Sequence, residues 1–206
     1  MEGKKREKRK ASRGYILIVP VVLILILVIG IYIMRYTKYE YVQFVKTYES
    51  ETTNNGKYTA YADGVLEYSK DGIAVLTEKG EEIWNHPCQM KNPMAEVCED
   101  IAVVADKGGT SIYVVQKSGL KGEIQTARPI ERMSVSAQGI VAVILQDEET
   151  PRIMCYDSKG NILVEHKASF KNTGYPIDLA LSRDGEVMMV SYLCTKGSGI
   201  ATKVAF

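Results

Sequence analysis

Two hydrophobic patterns divide the chain. Tyr15 to Met34, YILIVPVVLILILVIGIYIM, is 20 residues without a charge, closed by Arg13 and Arg35. At about 1.5 Å rise per residue a helix over this run is roughly 30 Å long, the depth of a bilayer's hydrocarbon core. Backbone amides in lipid must all be paired, which a single segment achieves only as a helix. Pro20 falls near the first turns, where a lost donor costs least. The run is longer than the roughly 7–15-residue core of a cleaved signal peptide, and Tyr32-Ile33-Met34-Arg35 offers no small-x-small cleavage site. A retained transmembrane helix over residues 15–34 is expected. From Lys57 onward the pattern changes to short runs of Val, Ile, Tyr and Leu spaced by Gly, Asp, Lys and Ser, which predicts strands and tight turns and no helix.

Those strands recur. Hairpin corners at Asp63-Gly64, Glu99-Asp100, Gln138-Gly139 and Asp184-Gly185 stand 36, 39 and 46 residues apart. Each precedes a strand: Val65–Ser69, Ile101–Ala105, Ile140–Leu145 and Glu186–Leu193. A second set of corners carries Gly80, Gly119 and Gly160, spaced by 39 and 41 residues. Each unit therefore holds about four strands in some 40 residues, the content of one propeller blade. A blade with two apolar faces cannot bury them alone, so neighbours must stack. Glycine at the corners is expected to supply the positive φ of tight hairpins.

Charge adds the compartment. Residues 1–35 hold eight Lys or Arg and two Glu, a balance of +6, which leaves −5 for the remainder. Lys4, Lys5, Arg6, Lys8, Arg9, Lys10 and Arg13 precede the apolar run, against Arg35 and Lys38 after it. The excess of positive charge on one flank places the N-terminus in the cytoplasm and residues 36–206 outside. The basic head suits anionic lipid headgroups, and Tyr32, Tyr36, Tyr39 and Tyr41 suit an interfacial belt. A mildly acidic body lacks the basic face that nucleic acid requires. The predicted organisation is a basic cytoplasmic tail (1–14), the membrane helix (15–34), a juxtamembrane segment and linker (35–56) and an extracytoplasmic all-β domain (57–206). Tyr41, Phe44, Val45 and Tyr48 have roughly helical spacing, and SETTNNG, Ser50 to Gly56, has linker composition.

Leu179 to Leu193, LALSRDGEVMMVSYL, resembles the S-x-D-G corner of WD40-like repeats. Leu76 to Trp84, LTEKGEEIW, is similar to the G-x-x-x-W strand pair of quinoprotein-type repeats, with Gly80 and Trp84 in the defining places. Val164 takes the Trp84 position later in the chain. The whole order resembles an uncharacterised family of membrane-anchored β-propeller proteins of Gram-positive bacteria. The resemblance implies a partial propeller of four-stranded blades and a compartment, and no activity. About three and a half blades are present, ending at Ile200–Phe206 in the third strand of the fourth unit. An open arc leaves an unpaired edge and a bare face, both aggregation hazards. Continuation of the chain beyond Phe206, or closure by self-association, is therefore expected.

Little in the sequence carries catalytic chemistry. Cys88, Cys98, Cys155 and Cys194 form no C-x-x-C. Cys88 and Cys98 are nearest in sequence, but cysteines in or beside apolar strands are more often buried free thiols. His86 and Cys88 lie together in NHPC, yet His166 is the only other histidine, too few for a zinc site. Ser118 and Lys121 fit S-x-x-K, and Lys117-Ser118-Gly119 echoes K-T-G. That chemistry needs a helix start, whereas this stretch is a hairpin corner that points the side chains apart. Lys196–Gly199, KGSG, reads as a flexible turn. Asp63, Asp71, Asp106, Asp157, Asp178 and Asp184 mostly fall at turns, where Asp bonds its own backbone. A propeller channel would gather some of them, but their spacing does not show which.

No enzyme, cofactor, catalytic residue or metal ligand is expected. The function expected is a membrane-anchored binding or scaffolding module for a protein, peptide or cell-envelope ligand, held in inter-blade loops such as Asn85–Pro93 and Ala168–Pro176. The alternatives are a sensor signalling through the helix and a propeller enzyme, quinone-dependent or hydrolytic, whose site lies outside this sequence.

Overall fold

A computed structural model describes residues 3–36, 56–147, 150–169, 172–196 and 199–206. The chain divides into two compact units, Met1–Thr47 and Tyr48–Phe206. The first holds one helix, α1 (Gly3–Tyr36), with Pro20 inside it. The side chains described in α1 are those of residues 18–33 and Arg35, all exposed. Among the described residues no helix is long and apolar enough to cross a membrane. The expected juxtamembrane helix and the SETTNNG linker, apart from Arg35, Tyr36 and Gly56, lie outside the described residues.

The second unit is all-β, with four antiparallel sheets in succession. The first contains β1 (Lys57–Tyr61), β2 (Gly64–Tyr68), β3 (Gly72–Thr77) and β4 (Glu82–Pro87). The second contains β5 (Pro93–Cys98), β6 (Ile101–Asp106), β7 (Ser111–Gln116) and β8 (Gly119–Gln125). The third contains β9 (Ile130–Val135), β10 (Val141–Leu145), β11 (Arg152–Tyr156) and β12 (Ile162–Lys167). The fourth contains β13 (Tyr175–Leu181), β14 (Met188–Lys196) and β15 (Gly199–Ala205). Every sheet pairs its strands in chain order, as a meander. The recurring corners predicted from sequence all fall between strands: Asp63 between β1 and β2, Glu99-Asp100 between β5 and β6, Gln138-Gly139 between β9 and β10, and Asp184-Gly185 between β13 and β14.

Burial explains why two strands have near-continuous apolar runs. β6 and β10 are buried at every position. Successive side chains on a strand face opposite ways, so each run serves two interfaces. Ala102 and Val104 join Leu66, Val75 and Tyr113 in a cluster between the first two sheets. Ile101, Val103 and Ala105 turn to the other side and meet Met133, Val141, Val143 and Tyr156 of the third. From there Ala142 and Ile144, with Ile153 and Cys155, pack on Leu179, Val190 and Tyr192 of the fourth. Polar ties reinforce the apolar contacts. The Tyr61 hydroxyl donates to the Asp100 carbonyl at 2.7 Å, and burial, then the Asp100 carboxylate, pushes its phenol up to about 12.

The corners differ from expectation in one respect. At the first two, positive φ falls on Ala62 (50°) and Glu99 (55°) rather than on glycine. Gly64 instead opens β2, where an added Cβ would strike the Leu76 carbonyl of β3. The SRDG corner behaves as expected of a turn. Gly185 has φ +72°, the Ser182 hydroxyl donates to Asp184 at 2.5 Å, and the Val187 amide donates to Ser182 Oγ at 2.9 Å. Ser182 and Asp184 are occupied within the corner, while the Arg183 side chain pairs with Glu99 and the Arg183 carbonyl accepts from the Ala137 amide at 2.9 Å.

Candidate functional site

The first strands of the second, third and fourth sheets lie side by side. The Leu181 amide donates to Ser134 Oγ at 3.0 Å and the Tyr175 hydroxyl to Glu131 at 3.0 Å, fastening β13 to β9. Between β5, β9 and β13 is a cleft of about 220 Å3. Glu96 comes from β5, Arg132 and Ser134 from β9, and Asp178 from β13, with Met94 and Ala180 supplying apolar wall. Strand alternation places these polar groups at the cleft while their neighbours Met133 and Leu179 enter the core.

Electrostatics sets the cleft apart from the other turns and rims. Glu96 of the second sheet and Asp178 of the fourth bring like charges toward one another across β9 of the third. Burial, and next the Asp178 carboxylate, holds the Glu96 carboxyl above the usual range. Arg132 Nη1 donates to the Glu131 carbonyl at 3.0 Å, which anchors the guanidinium on β9. The arrangement offers a cation, two acceptors and a hydroxyl to one small polar group. A raised Glu96 pKa means that the fold prefers the protonated acid. That contribution is full below the ordinary glutamate value and is lost as pH rises through the folded value. Glu96→Gln, measured by denaturation at pH 4 and pH 8, is therefore expected to flatten this loss and to be relatively more stabilising at the higher pH.

A second cavity, about 300 Å3, lies on the exposed side of the first sheet and is lined by Glu67, Asp71, Glu82, Asn85 and His86. Glu67 is buried there and accepts from the Tyr58 hydroxyl at 3.2 Å.

The residues weighed from sequence are dispersed. Ser118 Oγ accepts from Gln116 at 2.9 Å while Lys121 reaches the Gln138 carbonyl at 3.0 Å, so the S-x-x-K pair serves two different contacts. All four cysteines are free thiols, Cys88 and Cys155 with pKa raised by burial. His86 tilts against the Tyr113 ring at 5.5 Å, and His166 lies on β12. Among the described residues no group of His, Cys, Asp or Glu is placed to hold a metal. Asp63 pairs with Lys117 at 2.5 Å, and Asp106 accepts the Lys91 and Asn92 amides at 2.9 and 2.7 Å. Asp157 accepts from Asn161 at 2.7 Å. Only Asp178 of these carboxylates joins the inner cleft. Of the two loops expected to bind, Asn85–Pro87 belongs to β4 and Met90 is buried. In Ala168–Pro176 both end residues are buried, and 170–171 lie outside the described residues.

Residues 35–206 match the model of a family of unknown function, DUF5711. The chain belongs to this family. The four sheets lie within the matched segment. No curated protein matches it in sequence. Among solved structures it is similar to Hsv2 of Kluyveromyces marxianus, at 16% identity and a TM-score of 0.52, over 72% of this chain and 49% of that one. BamB from Moraxella catarrhalis is similar at 15% identity and a TM-score of 0.49, over 66% and 42%. The WD40 domain of Neurospora crassa Pan2 follows at 13% identity and 0.46, over 72% and 46%. The matched part of this DUF5711 member thus spans less than half of each of these structures. With four stacked meanders, the likeness to Hsv2 supports a β-propeller-like fold.

Proposed function

We propose that this DUF5711 member is a non-catalytic binding module, held at the cell membrane by α1 with residues 36–206 outside the cell. The anchor rests on the uncharged run Tyr15–Met34 and the cationic flank before it. The observation that carries the binding reading is the inner cleft, where three sheets bring Glu96, Arg132, Ser134 and Asp178 around one cavity. Rigid strands hold these groups in place, so little side-chain freedom is lost on binding. Two carboxylates beside a guanidinium suit a ligand carrying both charges, such as a protein segment, a free peptide or a cell-envelope peptide.

A photoreactive residue at Ala180 tests both parts of this reading in intact cells. The expected result is an adduct that saturates, that weakens in an Arg132→Ala background, and that protease added outside the cells destroys. Absence of a saturable adduct would remove the binding role of the cleft. An adduct protected from external protease would reverse the orientation.

A further inference from the structure

The charges of the inner cleft are not spent on one another. Among the described residues, no ion pair includes Glu96, Arg132 or Asp178. Arg132 gives one N–H to the Glu131 carbonyl, which leaves four of its five donors for other use. Asp178 accepts from the Leu179 amide beside it at 3.0 Å. Ser134 Oγ accepts the Leu181 amide and keeps its own hydrogen and a second lone pair. Resting on the reading of this cleft as a binding site, we propose that it receives the free amino terminus of a partner peptide. The ammonium lies among Glu96, Asp178 and Ser134, and the first carbonyl of the peptide accepts from Arg132.

The shape of the polar set selects this group among cations. An ammonium directs three donors away from one nitrogen, and the three acceptors come from three different strands, β5, β13 and β9. A guanidinium is a planar fork that suits two acceptors in one plane. A lysine side chain carries its ammonium on four methylenes, with no acceptor near it for Arg132. An amino terminus has its own carbonyl one carbon away. The cleft, about 220 Å3, is also small beside the roughly 300–1,000 Å3 of sites that enclose drug-sized ligands, so it suits one terminal residue. Met94 and Ala180 favour a small apolar side chain there.

Binding is then linked to a proton. Burial, and next the Asp178 carboxylate, holds the free Glu96 carboxyl high. A bound ammonium opposes the second influence, so Glu96 gives its proton to solvent as the peptide enters. Affinity rises as pH passes through the Glu96 midpoint and falls once the amino terminus itself deprotonates near about pH 8. The other groups around Glu96 are few. Arg132 stands on β9 and Asp178 on β13. Tyr68 on β2 has its phenol pushed up by burial and then by the Glu96 charge. Lys57 on β1 donates to the Pro93 carbonyl at the start of β5, and Val103 of β6 opposes Glu96.

The test follows the Glu96 carboxyl carbon by NMR in the full chain in micelles, with trialanine amide in millimolar excess. The peptide is expected to lower the Glu96 midpoint by about one pH unit or more, with affinity about tenfold higher above the free midpoint than below the bound one. Glu96→Gln, a change at an exposed position, should lose that rise. N-acetyl-trialanine amide, which lacks the charge, should leave the midpoint in place. An unmoved midpoint with trialanine amide overturns the proposal, as does an equal shift from the acetylated peptide. A larger shift from Nα-acetyl-lysine amide overturns it in favour of a side-chain cation. A saturable, Arg132-dependent adduct at Ala180 beside an unmoved midpoint would leave the cleft a binding site for another ligand. Loss of both would remove the cleft itself.

Discussion

Ile144→Ala is expected to lower the stability of the sheet domain by about 2–5 kcal/mol. Ile144 is fully buried on β10, opposite Ile153, and stands in the cluster that joins the third sheet to the fourth. Removing its side chain leaves a void between two stacked sheets whose backbones are fixed by their own ladders, so collapse around it is limited. For a domain of this size each kcal/mol lowers Tm by roughly 2–4 °C. Ile200→Ala is the matched control: the residue is 77% exposed and its loss should stay within about 0.5 kcal/mol. Thermal denaturation of both variants decides the matter. Equal losses would mean that the fourth sheet does not stack on the third as described.

The second large effect is expected at Gly122. A Cβ added there would strike the Ser158 carbonyl, at the corner between β11 and β12. Gly122 lies in β8, so the clash falls between the second and third sheets, and a backbone oxygen cannot swing aside as a side chain can. Gly122→Ala should cost about 1–3 kcal/mol or more, with faster amide exchange on both sides of that interface. Gly108→Ala is a useful contrast. Gly108 has φ +82° and open space around it, so the cost there is backbone strain of about 1–2 kcal/mol confined to its own turn. If Gly122→Ala disturbed β8 alone, the close approach of the two sheets would be wrong.

The fold was legible because local chemistry and global repetition agree. Val141–Leu145 and Ile101–Asp106 announce strands buried on both faces, and polar corners near every fortieth residue mark where the chain turns. The equivalence of Trp84 and Val164 also survives in the registers of β4 and β12. The corners were less transparent in detail. Positive φ at Ala62 and Glu99 was unexpected, since neither residue favours it. At Glu99 an ion pair with Arg183 of the fourth sheet joins the corner to a distant one.

The inner cleft was mostly hidden. Asp178 stood out only as one of several scattered acids, and no motif singled out Glu96 or Arg132. Their proximity comes from stacking of sheets whose matching residues are some 40 positions apart, a relation that no local pattern encodes. One signal was present. Arg132 and Asp178 each precede their corner glycine, Gly139 and Gly185, by seven residues. Equal offsets in a repeat place residues at equal heights along one margin.

The three hydrophobic clusters are shared unequally among the sheets. The second and third sheets each take part in two, and the first and fourth in one each. Coupling between nearest neighbours makes the consequence of opening a sheet depend on its place: among the described sheets, opening the second or third breaks two clusters at once, whereas opening the first or fourth breaks one.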